Sequence, residues 1–373
     1  MQAGIEPVRI GIIGCGAISG AYLGMAKNFP IMRMVACADL DMNRARAQAE
    51  QFGVPKVLSV DDLLRDDSIE LVLNLTVPKA HAAVALHAIE AGKHTFAEKP
   101  LGVNREEGRQ VLEAAKRRGV MVGCAPDTFM GAGLQTARKL LDDGAIGKPV
   151  AFTAFMMGRG HEHWHPSPEF YYEVGGGPMF DMGPYYLTAL LNLFGPVKRI
   201  MGMASIGLPQ RTITSEPKKG KIINVQTPDH VVGTMEFENG AVGTLITSFA
   251  MAHAPDQEQQ PIRVYGTTGT MRVSDPNQFD VPVHIRGRDE AEWRQMPHQF
   301  SYGYGRSVGA ADMAYAIRSG RPFRANGEQA FAVLDLMSAF LESSERGQAV
   351  TPTARYERPA PMPVGLPYGT LDT

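Results

Sequence analysis

Asp181 and Tyr185 stand four residues apart in "GGGPMFDMGPYYLTALL", residues 175–191. In a continuous helix that spacing puts both on one face. A carboxylate beside a phenol can anchor a polar ligand and exchange a proton with it. A free tyrosine has a pKa of about 10, so as a base near neutrality it needs a neighbouring ammonium. Lys99, in "AEKPL", is suited to that part, because the proline after it holds it extended at a strand end. Lys99 and Tyr185 can also exchange roles. Plainer readings stand beside these: Asp181 as a helix cap, Tyr185 as a core aromatic, Lys99 as a solvated lysine.

The elements that must position these groups begin with "VRIGII" (8–13), a β-branched, apolar run with the character of a buried parallel strand. "GCGAIS" follows, a GxGxxS turn into a helix. Gly14 permits the tight turn, and Gly16 lets a pyrophosphate approach the backbone at the positive end of the helix. Ala17 and Ile18 complete the turn, and the small Ser19 lets helix and strand pack closely. Cys15, inside the turn, reads as a small packed residue. "MVACAD" (34–39) is a second strand ending in an acid, and Asp39 lies 23 residues after Gly16. That is close to the spacing of a carboxylate that binds adenosine ribose hydroxyls. Such a carboxylate repels a 2′-phosphate and is followed by Leu40 rather than a cation, so NAD is favoured over NADP. Arg44 and Arg46 are the residues that would speak for NADP.

The alternation of strand and helix continues. Ser59 and Asp62 read as a capping box. "IELVLNLTVP" (69–78) is a strand, followed by a helix that stops at Gly92. "KHTFAEKP" is the next strand, Asn104 and Glu107 cap a helix ending at Gly119, and "VMVGCA" (120–125) is the last strand. This order predicts an α/β domain with a doubly wound parallel sheet. Ligands of such sheets bind at the carboxyl ends of the strands, where Thr76, Pro78, Glu98 and Lys99 fall. His81, early in the following helix, is expected to line the cofactor cleft, whereas His87 reads as surface.

"GIIGCGAIS", "TVPKAHAAVALHAIEAGKHTFAEKPL" and "GGGPMFDMGPYYLTALL", in that order, resemble the Gfo/Idh/MocA family, the glucose–fructose oxidoreductase and inositol dehydrogenase group. The resemblance implies an N-terminal Rossmann domain and a C-terminal α/β domain with a large open, mainly antiparallel sheet. It also implies a site between the domains and assembly through that sheet as a homodimer or homotetramer. Lys99 would be the catalytic lysine of the EKP motif, and Asp181 the acid of the second motif. The position held by Tyr185 is most often histidine in the family, though some sugar-oxidising members use tyrosine. The implied reaction moves a hydride between NAD and a hydroxyl carbon of a sugar, polyol or sugar derivative.

From residue 126 the pattern changes, so the domains are expected at 1–125 and 126–373. The second holds a helix in "LQTARKLLDDGAIGKP", a strand at 150–157, a hairpin about Asn239-Gly240, a strand pair in "IRVYGTTGTMRV" and a helix over about 328–345. Turns rather than helices join these strands, which predicts antiparallel pairing with one face free for a partner subunit. In "GRGHEHWHPSPEFYY", His161, His163 and His165 alternate, so in an extended segment they face one way. That invites a metal, but no cysteine or second histidine motif joins them, and no metal is expected. A loop over the active site fits better, with Trp164, His165, Tyr171 and Tyr172 offering flat faces and hydrogen bonds to a sugar ring. A packed aromatic loop is the alternative. Asp127 and Thr128, after the last parallel strand, are further pocket residues.

Bulk properties narrow the classes. A net charge of −2 gives no electrostatic reason to expect nucleic acid or an anionic membrane as partner. The start of the chain reads directly into a strand with no leader pattern, and no apolar run reaches the roughly 18 residues of a membrane span. Cys15, Cys37 and Cys124 are far apart, as in a reduced cytoplasmic protein. Two rival functions stay open through the resemblance. One is a redox-neutral glycosidase that oxidises, eliminates, adds water and reduces again. The other is a sugar sensor without chemistry, against which the retention of Lys99, Asp181 and Tyr185 counts.

Overall fold

The computed structural model describes residues 5–253 and 261–372. Residues 1–4, part of the segment read as leaderless, lie outside the described residues. By its internal contacts the chain divides into two units, each described here by itself.

The first unit is built on a six-stranded parallel sheet: β1 (Val8–Ile13), β2 (Met32–Ala38), β3 (Lys56–Val57), β4 (Leu71–Asn74), β5 (His94–Ala97) and β6 (Val122–Cys124). Its order is β3-β2-β1-β4-β5-β6, the doubly wound arrangement predicted from the alternation. Between the strands run α1 (Ser19–Ala26), α2 (Met42–Phe52), α3 (Val60–Arg65), α4 (Pro78–Glu90) and α5 (Arg105–Arg118). Local chemistry fixes the helix ends. The Asp62 amide donates to Ser59 Oγ at 3.1 Å, and the Glu107 amide to Asn104 Oδ1 at 2.9 Å. Gly53 and Gly119 close α2 and α5 in left-handed conformation. Two apolar clusters fill the layers, one about Ile13, Val72 and Leu63, the other about Ile89, Val111 and Val122.

The second unit holds an eight-stranded sheet, β16-β15-β14-β13-β7-β12-β11-β8. Its strands are β7 (Pro149–Met157), β8 (Val197–Ser205), β11 (His230–Phe237), β12 (Val242–Ser248), β13 (Ile262–Gly266), β14 (Gly269–Val273), β15 (Val283–Gly287) and β16 (Arg294–Met296). A separate two-stranded ribbon pairs β9 (Gln210–Thr212) with β10 (Ile222–Asn224). The Asn239-Gly240 hairpin joins β11 to β12, and Val231, Gly233, Met235 and Phe237 form its buried face. One pair departs from the antiparallel expectation: β7 and β12 run parallel, because helices and other strands separate them in sequence. Its helices are most of α6 (Ala132–Asp142), α7 (Gly177–Asp181), α8 (Gly183–Phe194) and most of α10 (Gly327–Arg346), whereas α9 (Val308–Ser319) lies in the first unit.

The division does not follow the single boundary at 125/126. The first unit runs to Gln135 and regains His298–Phe331 and the chain from Pro359 on; the second is Thr136–Pro297 with Ala332–Arg358. The returning segment carries α9, which packs on α1, β1 and β6. The Cys124 amide donates to Ala325 O at 3.0 Å, so the free edge of β6 is met by this returning chain. Among the described residues no helix is long and apolar enough to cross a membrane.

Candidate active site

The glycine turn after β1 fits a dinucleotide. Gly14 has φ +98°, and a Cβ there would meet the Leu75 carbonyl carbon at 2.6 Å. Among the described residues nothing lies within 4 Å of where a Cβ on Gly16 would stand, so the backbone faces open space at that point. Ala17 is exposed and Ile18 half-buried at the mouth of α1, whose first amides have no partner within the helix. Ser19 is buried and its Oγ donates to Gly16 O at 2.6 Å, so it packs the turn rather than facing a ligand. At the end of β2, the Asp39 carboxylate accepts from the Cys15 amide at 2.6 Å and the Asp41 amide at 2.8 Å. Each oxygen keeps a further lone pair for a hydroxyl donor. Arg44 lies 3.5 Å from Asp41, and Arg46 donates to Asn43.

The ends of β4 and β5 supply the other predicted cofactor residues. Thr76 Oγ1 donates to Asn74 Oδ1 at 2.6 Å, and Pro78 opens α4. Glu98 is buried: its Oε1 accepts from Tyr22 Oη at 2.8 Å and its Oε2 from the Lys99 amide at 3.1 Å. Burial and the Glu98 charge push the Tyr22 hydroxyl well above the ordinary tyrosine range. The carboxylate thus fixes the backbone that carries Lys99, whose own side chain is half-buried.

Two predicted ligand residues are corrected by this unit. His81 does not line a cleft; it is buried, with Nδ1 2.8 Å from Pro100 O and Nε2 3.0 Å from Thr76 O. Burial holds its pKa below the ordinary histidine value, and the neutral ring donates to one of these two carbonyls. Asp127 is not open to substrate either. It is fully buried, and its Oδ2 accepts from the Ser307 and Gly309 amides, both at 3.1 Å. It caps the start of α9, with Arg306 Nη1 at 3.8 Å from its other oxygen. Burial raises its pKa above the ordinary aspartate value. Thr128, beside it, is buried too.

In the second unit Asp181 and Tyr185 do not share one helix. α7 ends at Asp181, and α8 starts at Gly183 after the break at Met182. Gly177 makes α7 possible: it has φ +80°, and a Cβ there would meet Pro228 O at 2.7 Å. Tyr185 is buried in α8, whereas Asp181 keeps a side-chain exposure of 16%. The plain cap reading fails for Asp181, which is the last residue of its helix and not the cap before it.

The carboxylate has a partner that sequence reasoning missed. His161 Nε2 lies 3.0 Å from Asp181 Oδ2. The "GRGHEHWHP" segment is not extended, because the Trp164 and His165 amides both return to His161 O, at 3.2 and 3.0 Å. The three histidines therefore part: His161 turns to Asp181, His163 is exposed, and His165 packs on Trp164, Phe170 and Tyr171. Burial and the nearby His161 lower the His165 pKa. The one signal available was the density of histidines and aromatics on one loop, with nothing to say which histidine turns inward.

Beneath the loop lies a buried ionic network. Arg211 Nη1 donates to Glu162 Oε1, and Nη2 to Asp229 Oδ2, both at 2.9 Å. Its guanidinium stacks on the Tyr172 ring, 4.8 Å from the centroid. Tyr172 is corrected here: it is fully buried, donates to Glu162 and accepts from the His161 amide at 3.0 Å, so it supports the loop and offers no face to a ligand. Trp164 is exposed, and His165 and Tyr171 are half-buried, so these three can still meet a ligand.

Comparisons with known proteins agree with this architecture. Residues 8–125 match the family model described as an oxidoreductase family with NAD-binding Rossmann fold, and residues 134–272 the GFO/IDH/MocA C-terminal domain. The chain is 26% identical over 321 residues to trans-1,2-dihydrobenzene-1,2-diol dehydrogenase of Bos taurus, covering 84% of this chain and 89% of the bovine one. It is 26% identical over 297 residues to levoglucosan dehydrogenase of Pseudarthrobacter phenanthrenivorans, 72% of this chain and 73% of the other. A solved levoglucosan dehydrogenase, in complex with NADH and L-sorbose, superposes with a TM-score of 0.79 at 22% identity, over 94% of this chain and all of that one. With a doubly wound domain, its glycine turn and Asp39 matched to one model and the mixed-sheet unit to the other, the chain belongs to the Gfo/Idh/MocA family of NAD-binding oxidoreductases.

Proposed function

We propose that this oxidoreductase oxidises a secondary hydroxyl on the ring of a sugar, polyol or sugar derivative, or reduces the corresponding ketone, with NAD rather than NADP. The relatives support a ring-borne hydroxyl: one is named for a cyclic diol, the other for an anhydrosugar. The observation that carries the reading is the surface around Asp181. A carboxylate that keeps a small exposed edge, an imidazole at 3.0 Å and the rings of Trp164 and Tyr171 suit a polyhydroxylated ring. The choice of NAD rests on Asp39, whose negative charge disfavours a 2′-phosphate, and on the engagement of Arg44 and Arg46 with Asp41 and Asn43.

The residues held for NAD are Gly14, Gly16, Ala17, Ile18, Asp39, Thr76 and Pro78, with Glu98 fixing the strand end. NAD, when bound, supplies the acceptor for the hydrogen and electron pair of the carbinol carbon. Lys99, Asp181 and Tyr185 are the proposed catalytic residues. The Lys99 ammonium stabilises negative charge on the substrate oxygen, the Tyr185 hydroxyl hydrogen-bonds it, and Asp181 anchors the surrounding groups.

We also infer assembly as a homodimer or homotetramer through the open sheet. Met203, Val232, Ile246 and Phe155 stand side by side across β8, β11, β12 and β7, and Met203 is 67% exposed. The test of function is absorbance at the NADH band with NAD and a panel of free sugars, inositols, anhydrosugars and glycosides. A sustained rise with one class supports the dehydrogenase. A flat trace with glycoside consumed gives the redox-neutral glycosidase, and NAD binding with no turnover the sensor.

A further inference from the structure

We propose that His161, held by Asp181, is the group that takes the proton from the substrate hydroxyl. This rests on the oxidoreductase reading above and gives a loop residue the part of base that the sequence suggested for Tyr185 or Lys99.

The geometry is that of an oriented imidazole. Asp181, when ionised, only accepts hydrogen bonds, so Nε2, 3.0 Å from Oδ2, carries the ring hydrogen and Nδ1 keeps its lone pair. The ring is held edge to face by Tyr171 at 4.0 Å between centroids, with Phe249 at 4.6 Å. Its backbone is held as well, through the amide bond to Tyr172 Oη and the buried Glu162–Arg211 pair behind it. Such anchoring keeps a base in one orientation with little reorganisation. Both partners are still reachable: side-chain exposure is 15% for His161 and 16% for Asp181. Of the charged and titratable groups about the loop, Asp181 from α7 and Tyr171 from the turn at Glu169–Tyr172 meet the ring, His165 interacts with it electrostatically, and Glu162, Tyr172 and Arg211 from β9 brace the backbone behind it.

The functional groups point the same way. A neutral imidazole carries a ring lone pair that accepts a proton directly, whereas a phenol must first give up its own. In the oxidation, the hydroxyl O–H bond breaks and its proton goes to Nδ1. The carbinol C–H bond breaks, its hydrogen leaves with the electron pair for NAD, and the carbon–oxygen bond becomes a carbonyl. The imidazolium is stabilised by Asp181, and in the reverse direction it returns the proton. Tyr185 then serves as a hydrogen-bonding group on the same oxygen.

The first test needs no substrate. Histidine nitrogen NMR of the cofactor-free protein, with His161 assigned by comparison with H161Q, reads which ring nitrogen carries the hydrogen in wild type and in Asp181→Asn. Wild type should show the hydrogen on Nε2 with Nδ1 unprotonated, and the substitution should shift the Nε2–H signal. A hydrogen on Nδ1 in wild type, or an Nε2–H signal unmoved by the substitution, overturns the pair. The second test is kinetic. His161→Gln keeps a hydrogen-bonding side chain but lacks the base; turnover should fall by about a hundredfold or more with NAD affinity unchanged. Added imidazole should restore part of the activity of His161→Ala. Turnover of H161Q within about threefold of wild type overturns the role. A wild type that turns over nothing in the panel refutes the oxidoreductase reading instead, and the nitrogen spectrum still decides the pair.

Discussion

Tyr22 Oη donates to Glu98 Oε1 at 2.8 Å, joining α1, just after the glycine turn, to the residue before Lys99. Both groups are buried. Removing the hydroxyl leaves a buried carboxylate oxygen without that donor. Tyr22→Phe should therefore destabilise the protein by about 1–3 kcal/mol, read as a shift of the urea midpoint at unchanged slope. A midpoint equal to wild type would mean that Glu98 is solvated or protonated there.

Asp39 both closes the turn and offers its charge outward. Asp39→Asn keeps an acceptor for the Cys15 amide but loses the charge and the second acceptor that the Asp41 amide uses. NAD should bind about tenfold or more weakly, while discrimination against NADP relaxes. Calorimetric titration of both cofactors checks this, and an unchanged NAD/NADP ratio would remove Asp39 from that choice.

Glu169 gives a pH dependence whose sign can be worked out. Its burial favours the neutral form, but Lys218 at 2.7 Å and Lys221 at 2.9 Å outweigh this and lower the pKa from 4.5 to about 2. A carboxylate with a depressed folded pKa contributes stability above its unfolded pKa and loses it as pH falls through the folded one. Glu169→Gln should be less stable than wild type at pH 7, with the gap closing between about pH 4.5 and 2. Denaturation curves across that range measure it; a gap independent of pH would assign the loss to packing.

Met203 lies in the outward apolar row of the open sheet. Met203→Glu should shift the protein toward the monomer in light scattering, because a carboxylate in a closed apolar interface is costly. A wild type already monomeric at tens of micromolar would refute assembly through this face.

Much of the fold was legible because short-range physics writes it directly. The β1 run, the Gly14 turn, the Ser59 and Asn104 caps and the Asn239-Gly240 hairpin are each decided within a few residues. The parallel β7–β12 pair was not, since strands far apart in sequence form it. α9 carries a broad apolar face and no capping side chain of its own; its start is capped by Asp127, some 180 residues earlier. The predicted ligand residues divide by the same rule. The glycine turn and Asp39 depend on local backbone, whereas Asp127, His81 and Tyr172 carry plausible side chains that long-range partners claim. His161 is the reverse case, one of three alternating histidines, brought to Asp181 by a turn that follows Gly160 at φ +92°; the glycine marks a turn but not which histidine it aims inward.

The first unit is completed by residues 298–331 and by the chain from Pro359 on. A ribosome releases the amino-terminal end long before those segments exist. Until then the edge of β6 lacks Ala325 O as acceptor for Cys124, and the Asp127 carboxylate has no α9 to cap. The nascent nucleotide-binding half must therefore wait, incompletely sealed, until residues 298–331 have been translated. A fragment ending at residue 125 should behave as an unfinished fold, prone to aggregate, and not as a separable module.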